Sequence, residues 1–330
     1  DVKDMSDTRS MYWVTERHIV TGEVGTFHFY SPYDGSPKEE HIPVFIEKDL
    51  RYVPIPHTAG ADLYVLGYFQ RLKHFMSHWD RIDDRLGLTR QRATHAVTFN
   101  DATGPFANEL PALDETVALH FRIGDYVKLK HLYLSLPVEY YANSLTQLIQ
   151  RTGKDDWNGL WFYGGGNPDD EAVALGMVLF LKSKFTNLRF KKTPDSYLAT
   201  DSTDFFLLSL CRHIITANST FSWWAAFLNN TPGRLIFYPF RWTTNRVRSI
   251  MGDSRDMEGY TLKDWVPVEF PLNFFYTTHV DLPDGTSQML TMFEGDHYET
   301  AVSDFAEEFN VDQENEALLL AHVESGLSSS

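Results

Sequence analysis

The chain has 330 residues, of which 43% are hydrophobic and 15% aromatic, enough apolar material for two domains with cores and too much for a disordered protein. Its formal charge is −16, but residues 271–330 hold twelve Asp or Glu and no Lys or Arg, so the rest of the chain carries only −4. Neither part has the basic stripe a duplex binder uses to neutralise phosphates, which argues against nucleic acid as a partner. The single cysteine, Cys211, rules out an internal disulfide, and no Cys/His cluster has zinc-site spacing. No apolar run approaches the roughly 20 residues of a membrane span, and no signal peptide opens the sequence.

Residues 1–113 read as a smaller α/β unit. Strands are predicted at Tyr12–Ile19 and Thr26–Tyr30, followed by a turn-rich stretch with Pro32, Gly35 and Pro37. Phe69, Leu72, Phe75, Trp79 and Ile82 recur at helical spacing and predict a helix over Phe69–Leu86. From Thr116 short apolar runs alternate with helix-length segments, the pattern of a doubly wound parallel sheet. Strands are predicted at Val117–Phe121, Leu160–Tyr163, Leu188–Phe190, His213–Ala217 and Leu235–Tyr238, and helices at Val138–Arg151, Asp170–Lys184, Asp204–Cys211 and Thr220–Asn229. Residues 114–270 are thus expected to form a Rossmann-like α/β domain. Residues 271–330 are expected to be an acidic helical extension, with Val302, Phe305 and Phe309 on one helical face and a flexible tail over Gly326–Ser330.

Two strings directly after predicted strands carry the chemistry: His120-Phe-Arg-Ile-Gly-Asp-Tyr126 and Asn218-Ser-Thr-Phe-Ser-Trp-Trp224. In an open α/β sheet, ligands bind outside the carboxyl ends of the strands, which is where these residues fall. Arg122 offers a planar guanidinium that can grip two phosphate oxygens; alternatively it is ion-paired with Asp125 in a structural loop. Gly124 permits the tight turn that brings Asp125 to the mouth. Ser219 or Thr220 is placed as the N-cap of a helix whose start favours an anion, although a serine cap stabilises a helix with or without one. Trp223 and Trp224 read as packing residues. The string Tyr163-Gly-Gly-Gly-Asn-Pro168 lacks the Lys-Ser/Thr of a phosphate-binding loop and reads as a chain turn at least as readily as a nucleotide contact.

In order, spacing and composition the two strings resemble the signature segments of the α-1,2-fucosyltransferases of glycosyltransferase family 11. Gly67-Tyr-Phe-Gln70 and Asp204-Phe-Phe-Leu-Leu-Ser-Leu-Cys211 lengthen the resemblance, which covers about Asp62 to Pro267. Ile123 stands where the family motif has a second arginine, and nothing in Asp1–Gly22 matches the family's glycine-rich opening segment, so the first strand of the N-terminal unit is expected to be missing. The resemblance implies a GT-B-like fold of two Rossmann-type layers. It implies transfer of L-fucose from GDP-fucose to the 2-OH of a terminal galactoside, with inversion at the anomeric carbon. GDP-fucose is then the donor substrate and a galactoside-containing glycan the acceptor. No cofactor is expected and no metal required, since the sequence has no Asp-x-Asp motif.

Arg122, Asp125 and His120 are the implied catalytic residues. Arg122, Gly124, Asn218, Ser219, Thr220 and Asp204 are the implied donor contacts, and Gln70, Tyr126 and His131 line the acceptor side or cleft. Asp125 is the first choice as general base and His131 the second. A helix-start Asp or Gln needs no ligand to explain it, so Asp204 and Gln70 keep that plainer reading beside the implied one. A transferase for another GDP-sugar, or a non-catalytic carbohydrate-binding relic, are the alternatives. The resemblance places the protein on the lumenal side of the Golgi membrane if a longer parent chain carries an anchor, and in the cytoplasm otherwise.

Overall fold

The computed structural model describes residues 44–46, 52–56, 64–66, 71–101, 103–104, 106, 109–124, 126, 133–163, 168–194, 201–243, 259–271, 274–282, 285–293 and 298–328. At its centre lies a six-stranded, wholly parallel sheet. Its strands are β3 (Thr116–Phe121), β4 (Asn158–Tyr163), β5 (Arg189–Lys192), β6 (His213–Ile215), β7 (Ile236–Pro239) and β8 (Val266–Val268). They lie in the order β5-β4-β3-β6-β7-β8, so the sheet grows outward in both directions from β3 and the winding reverses between β3 and β6. All six residues of β3 are buried, as a central strand covered on both faces must be. Helices α3 (Val138–Thr152), α4 (Pro168–Lys184), α5 (Asp201–Leu210) and α6 (Thr220–Leu228) make the crossovers. Pro168 opens α4 at the position where a missing N–H costs nothing, and Gly153 closes α3 at φ 66°.

Side chains alternate along β3 and divide two cores between the faces of the sheet. Val117, Leu119 and Phe121 pack with Tyr140, Leu145 and Leu148 of α3 and Ala174, Val178 and Leu181 of α4. Ala118 joins Leu160 and Ile214 under Phe205, Leu208, Trp223 and Ala226 of α5 and α6.

The N-terminal region contributes a parallel pair, β1 (Val44–Ile46) with β2 (Tyr64–Leu66), and two helices, α1 (Trp79–Leu86) and α2 (Leu88–Asn100). The helix predicted over Phe69–Leu86 is shorter than its periodicity suggested. Residues Leu72–His74 and Met76–His78 form 3-10 turns, and only Trp79–Leu86 is α-helical. Long-range contacts outweigh the local pattern here: Leu72 N–H donates to Gly259 O at 2.7 Å, and Phe75 packs against both Trp223 and Trp224. Helix α2 follows through Gly87 at φ 64° and was not anticipated. Arg92 fastens it to α5 by donating to Ser209 O at 3.0 Å, and to the segment after α6 by donating to Asn230 Oδ1 at 2.8 Å. The strands predicted at Tyr12–Ile19 and Thr26–Tyr30 lie outside the described residues.

The acidic segment is not purely helical. It opens with an antiparallel hairpin, β9 (Phe274–Asp281) and β10 (Ser287–Phe293), before α7 (Tyr298–Glu308) and α8 (Gln313–Ser328). Leu290 and Met292 of the hairpin meet Val302, Phe305, Leu319 and Val323 of the helices in a core of their own. Gly326 belongs to α8 rather than to a tail, and a Cβ there would come within 2.6 Å of the Tyr276 ring, so only glycine lets the helix lie this close to the hairpin. The other predicted elements are found with ends moved by a few residues, α5 beginning at Asp201 rather than Asp204.

A Cβ on Gly159 in β4 would meet the Phe190 ring of the adjacent strand at 2.7 Å. Gly159→Ala is therefore expected to lower unfolding free energy by about 1–3 kcal/mol, read as a shifted urea midpoint at unchanged slope.

Candidate functional site

The switch between β3 and β6 sets two strand ends side by side, and the two sequence strings follow directly from them. After Phe121 the chain leaves the sheet at Arg122 and turns at Gly124, whose φ of 49° lies in the left-handed region; Tyr126 N–H closes the turn on Ile123 O at 3.0 Å. After Ile215 it runs through Thr216, Ala217, Asn218 and Ser219, all buried, into α6.

A hydrogen bond joins the strings: Tyr126 Oη donates to Asn218 O at 2.7 Å. Asn218 Nδ2 donates in turn to Leu134 O at 2.8 Å and to Trp242 O at 2.9 Å. Three strand-end segments therefore converge on one asparagine, whose Oδ1 is buried with no hydrogen-bond partner among the described residues. Two tyrosines of α3, not singled out from the sequence, secure the strands from beneath. Tyr141 Oη donates to His120 O at 2.8 Å, and Tyr140 Oη to Thr216 O at 2.6 Å. Burial pushes both phenols well above their ordinary pKa and keeps them donors.

Arg122 is half-buried with its guanidinium 5.0 Å from the centre of the Tyr126 ring, and Tyr126 stacks on Tyr133 at 4.6 Å. This layered arrangement fixes the direction of a cation at the strand mouth. Ile123 is 7% exposed and lies in the opposite core, with Phe121, Leu136 and Tyr140. In this chain position 123 therefore faces away from the mouth, and an arginine there would bury its charge in an apolar cluster.

His120 points into the other core, 3% exposed, its ring 5.4 Å from Phe221 of α6. Burial, with the nearby Arg122 charge adding to it, pushes the imidazole down to about 3, so it is neutral at physiological pH. Its Nδ1 has no hydrogen-bond partner among the described residues. Phe221 also packs against Phe205 at 5.7 Å, which brings the first turn of α5, with half-buried Asp204, to the same side of the sheet as the start of α6.

Ser219 occupies the N-cap of α6 in extended conformation, yet its side chain makes no capping bond. The hydroxyl that works locally is Ser222 Oγ, which accepts Ala217 N–H at 3.1 Å and donates to Ser219 O at 3.3 Å. Thr220, the first helical residue, is exposed at the mouth. The first turn of α6 thus has no side-chain cap, the condition under which a helix start can receive an anion. A further cation reaches the rim from β5: Lys192 Nζ donates to Glu171 Oε1 at 2.7 Å, and Tyr163 Oη to Glu171 Oε2 at 3.0 Å. Its signal in the sequence was its place at a strand's carboxyl end.

Gln70, Asp125 and His131 lie outside the described residues. Among the described residues no group of three or more His, Cys, Asp or Glu gathers to hold a metal, and no helix is long and apolar enough to cross a membrane. A groove of about 430 Å³ between α3 and β8, lined by Asn143, Gln147, Phe240 and Glu269, includes none of these site residues.

A parallel sheet with an arginine and a helix start at its switch point is consistent with a Rossmann-like glycosyltransferase, and the comparisons agree in class. Residues 186–268 match the model of glycosyl transferase family 11, and the chain is similar to that family over this segment. The O-antigen biosynthesis glycosyltransferase WbnK of Escherichia coli is 27% identical over 143 residues, 41% of each chain. An alpha-1,2-colitosyltransferase of Escherichia coli is 25% identical over 183 residues, 54% of this chain and 55% of the relative. The chain thus spans about half or less of the length of these curated relatives. No solved structure matches.

Tyr126→Phe leaves the Asn218 carbonyl without its donor and is expected to cost about 1–3 kcal/mol, measured by urea unfolding. A pH dependence also follows. His120 and His213, the latter pushed down to about 4 by burial and by Arg212, are neutral when folded and titrate near 6.5 when unfolded. The stability they contribute is complete above pH 6.5 and is lost as pH falls toward 4, because the unfolded chain then binds more protons. The slope grows as pH falls below 6.5 and reaches roughly 1 kcal/mol per pH unit for each group near pH 5.5, and His213→Asn should flatten it by about that amount in urea titrations between pH 6 and 5.

Proposed function

We propose that this protein is an inverting glycosyltransferase that moves a deoxyhexose from its GDP conjugate to the 2-OH of a terminal galactoside, with L-fucose as the sugar. The observation that supports it best is the Tyr126–Asn218 hydrogen bond, which ties the turn on which Arg122 rests to the segment that leads into the uncapped start of α6. Fixed positive charge is the chief need of a departing nucleoside diphosphate, and a preorganised guanidinium beside a helix N-terminus supplies it without rearrangement. The acceptor hydroxyl attacks the anomeric carbon, the bond to the diphosphate oxygen breaks, and the electron pair leaves with GDP. The hydroxyl proton passes to a base, for which Asp125 is the first candidate and His131 the second. His120 is buried and neutral, which suits a packing and positioning role better than proton transfer. Asp204, on the same side of the sheet, is assigned to the nucleoside, and Gln70 to the acceptor side.

The colitosyltransferase relative favours colitose as a second donor sugar, since the two enzymes would share the nucleotide site and differ where the sugar lies. A GDP-release assay with a galactoside acceptor tests both. Arg122→Ala is expected to lower turnover by about 10²–10³-fold, and Arg122→Lys to recover part of it, because charge returns without the two-pronged grip. Turnover within a few-fold of wild type in the alanine variant would overturn the assignment. GDP-fucose and GDP-colitose supplied in competition decide the sugar.

A further inference from the structure

Helix α4 is apolar on the wrong side as well as the right one. From Ala172 to Leu181 no side chain carries a charge or a hydrogen-bonding group. Ala174, Val178 and Leu181 face the core and are fully buried. The outer face carries Val173 at 47% exposure, Leu175 at 44%, Leu179 at 56% and Phe180 at 44%, among exposed Ala172, Gly176 and Ser183. A helix that is hydrophobic all round is ordinarily buried, and a contiguous apolar stripe on a water-facing helix marks an interface.

We infer that this face joins two copies of the chain, α4 against α4, antiparallel about a two-fold axis through Gly176. The residues are self-complementary in that arrangement. Leu179 lies beside the partner's Val173 and Phe180 beside the partner's Ala172, so bulky residues meet small ones on both sides of the axis. Gly176 has no Cβ to hold the helices apart, and its outer side faces open space in this chain, with nothing within 4 Å of where a Cβ would stand. The charges agree as well. Asp169 sits in the first turn of α4 and Lys184 in the last, both toward the Gly176 face, so antiparallel pairing sets Asp169 beside the partner's Lys184, while Glu171 stays with Lys192 of its own chain. The opposed helix dipoles favour the same orientation. An anionic bilayer fits less well, because the chain carries a net charge of −16.

Sedimentation velocity of the full chain from about 1 to 100 μM is expected to show a concentration-dependent monomer–dimer equilibrium. Leu179→Glu should raise its dissociation constant at least about tenfold. Gly176→Leu separates dimerisation from folding: it adds helix propensity in open space, so thermal stability at the lowest concentration should rise while dimerisation weakens. Gly176→Cys should form a disulfide-linked dimer on mild oxidation about tenfold faster than Gln150→Cys, an exposed control on α3, since the native Cys211 is buried. A wild-type chain that stays monomeric throughout, or equal cross-linking at both positions, overturns the inference. So does a monomer that sediments with phosphatidylcholine–phosphatidylglycerol vesicles, which would assign the face to a membrane instead.

Discussion

Asn218 is the residue on which the mouth of the sheet depends. Loops after parallel strands have no ladder to hold them, so their carbonyls and amides must find partners outside the sheet. Here the carbonyl of Asn218 accepts the Tyr126 phenol, and its amide nitrogen donates to Leu134 and Trp242. That one side chain and one carbonyl tie the segments following β3, β6 and β7 into a single rim. Arg122 rests on Tyr126, so the position of the cation depends on the same node.

The rim is reinforced by burial. Tyr140 and Tyr141 rise from α3 beneath the sheet and satisfy carbonyls at the ends of β6 and β3, positions at which water is excluded. On the other face His120, Phe221 and Phe205 make an aromatic chain linking β3 to α6 and α5. Hydrogen bonds and aromatic packing on both faces of the sheet fix the ends of β3 and β6, as preorganised charge requires.

Much of this was legible before any coordinates. The crossover order of strands and helices after Thr116 follows from alternating apolar runs, and the positions of Arg122, Gly124 and Ser219 follow from where those runs stop. Elements set by long-range contact were less legible. The periodic stretch over Phe69–Leu86 breaks into 3-10 turns because Leu72 and Phe75 are claimed by Gly259 and the Trp223–Trp224 pair. Helix α2 lacks an amphipathic stripe and is held by Arg92 reaching across to α5. The hairpin of the acidic segment did leave a sign, Leu282-Pro-Asp-Gly285 between alternating runs, and Gly285 does turn at φ 83°.

Sequence fixes residue type and spacing, and with them a doubly wound sheet, an arginine at the end of one strand and a helix start at the end of another. Those features are local, because strand alternation, glycine turns and helix beginnings are governed by neighbours along the chain. Which way each side chain faces once the strand has ended is not local. Ile123 turns into the α3 core, His120 into the α6 core, and the Asn218 amide is committed to two carbonyls, 84 and 24 residues away in sequence. Each outcome follows from the need to satisfy buried polar groups and fill apolar volume with whatever the fold brings near, and the linear order of residues carries no record of that.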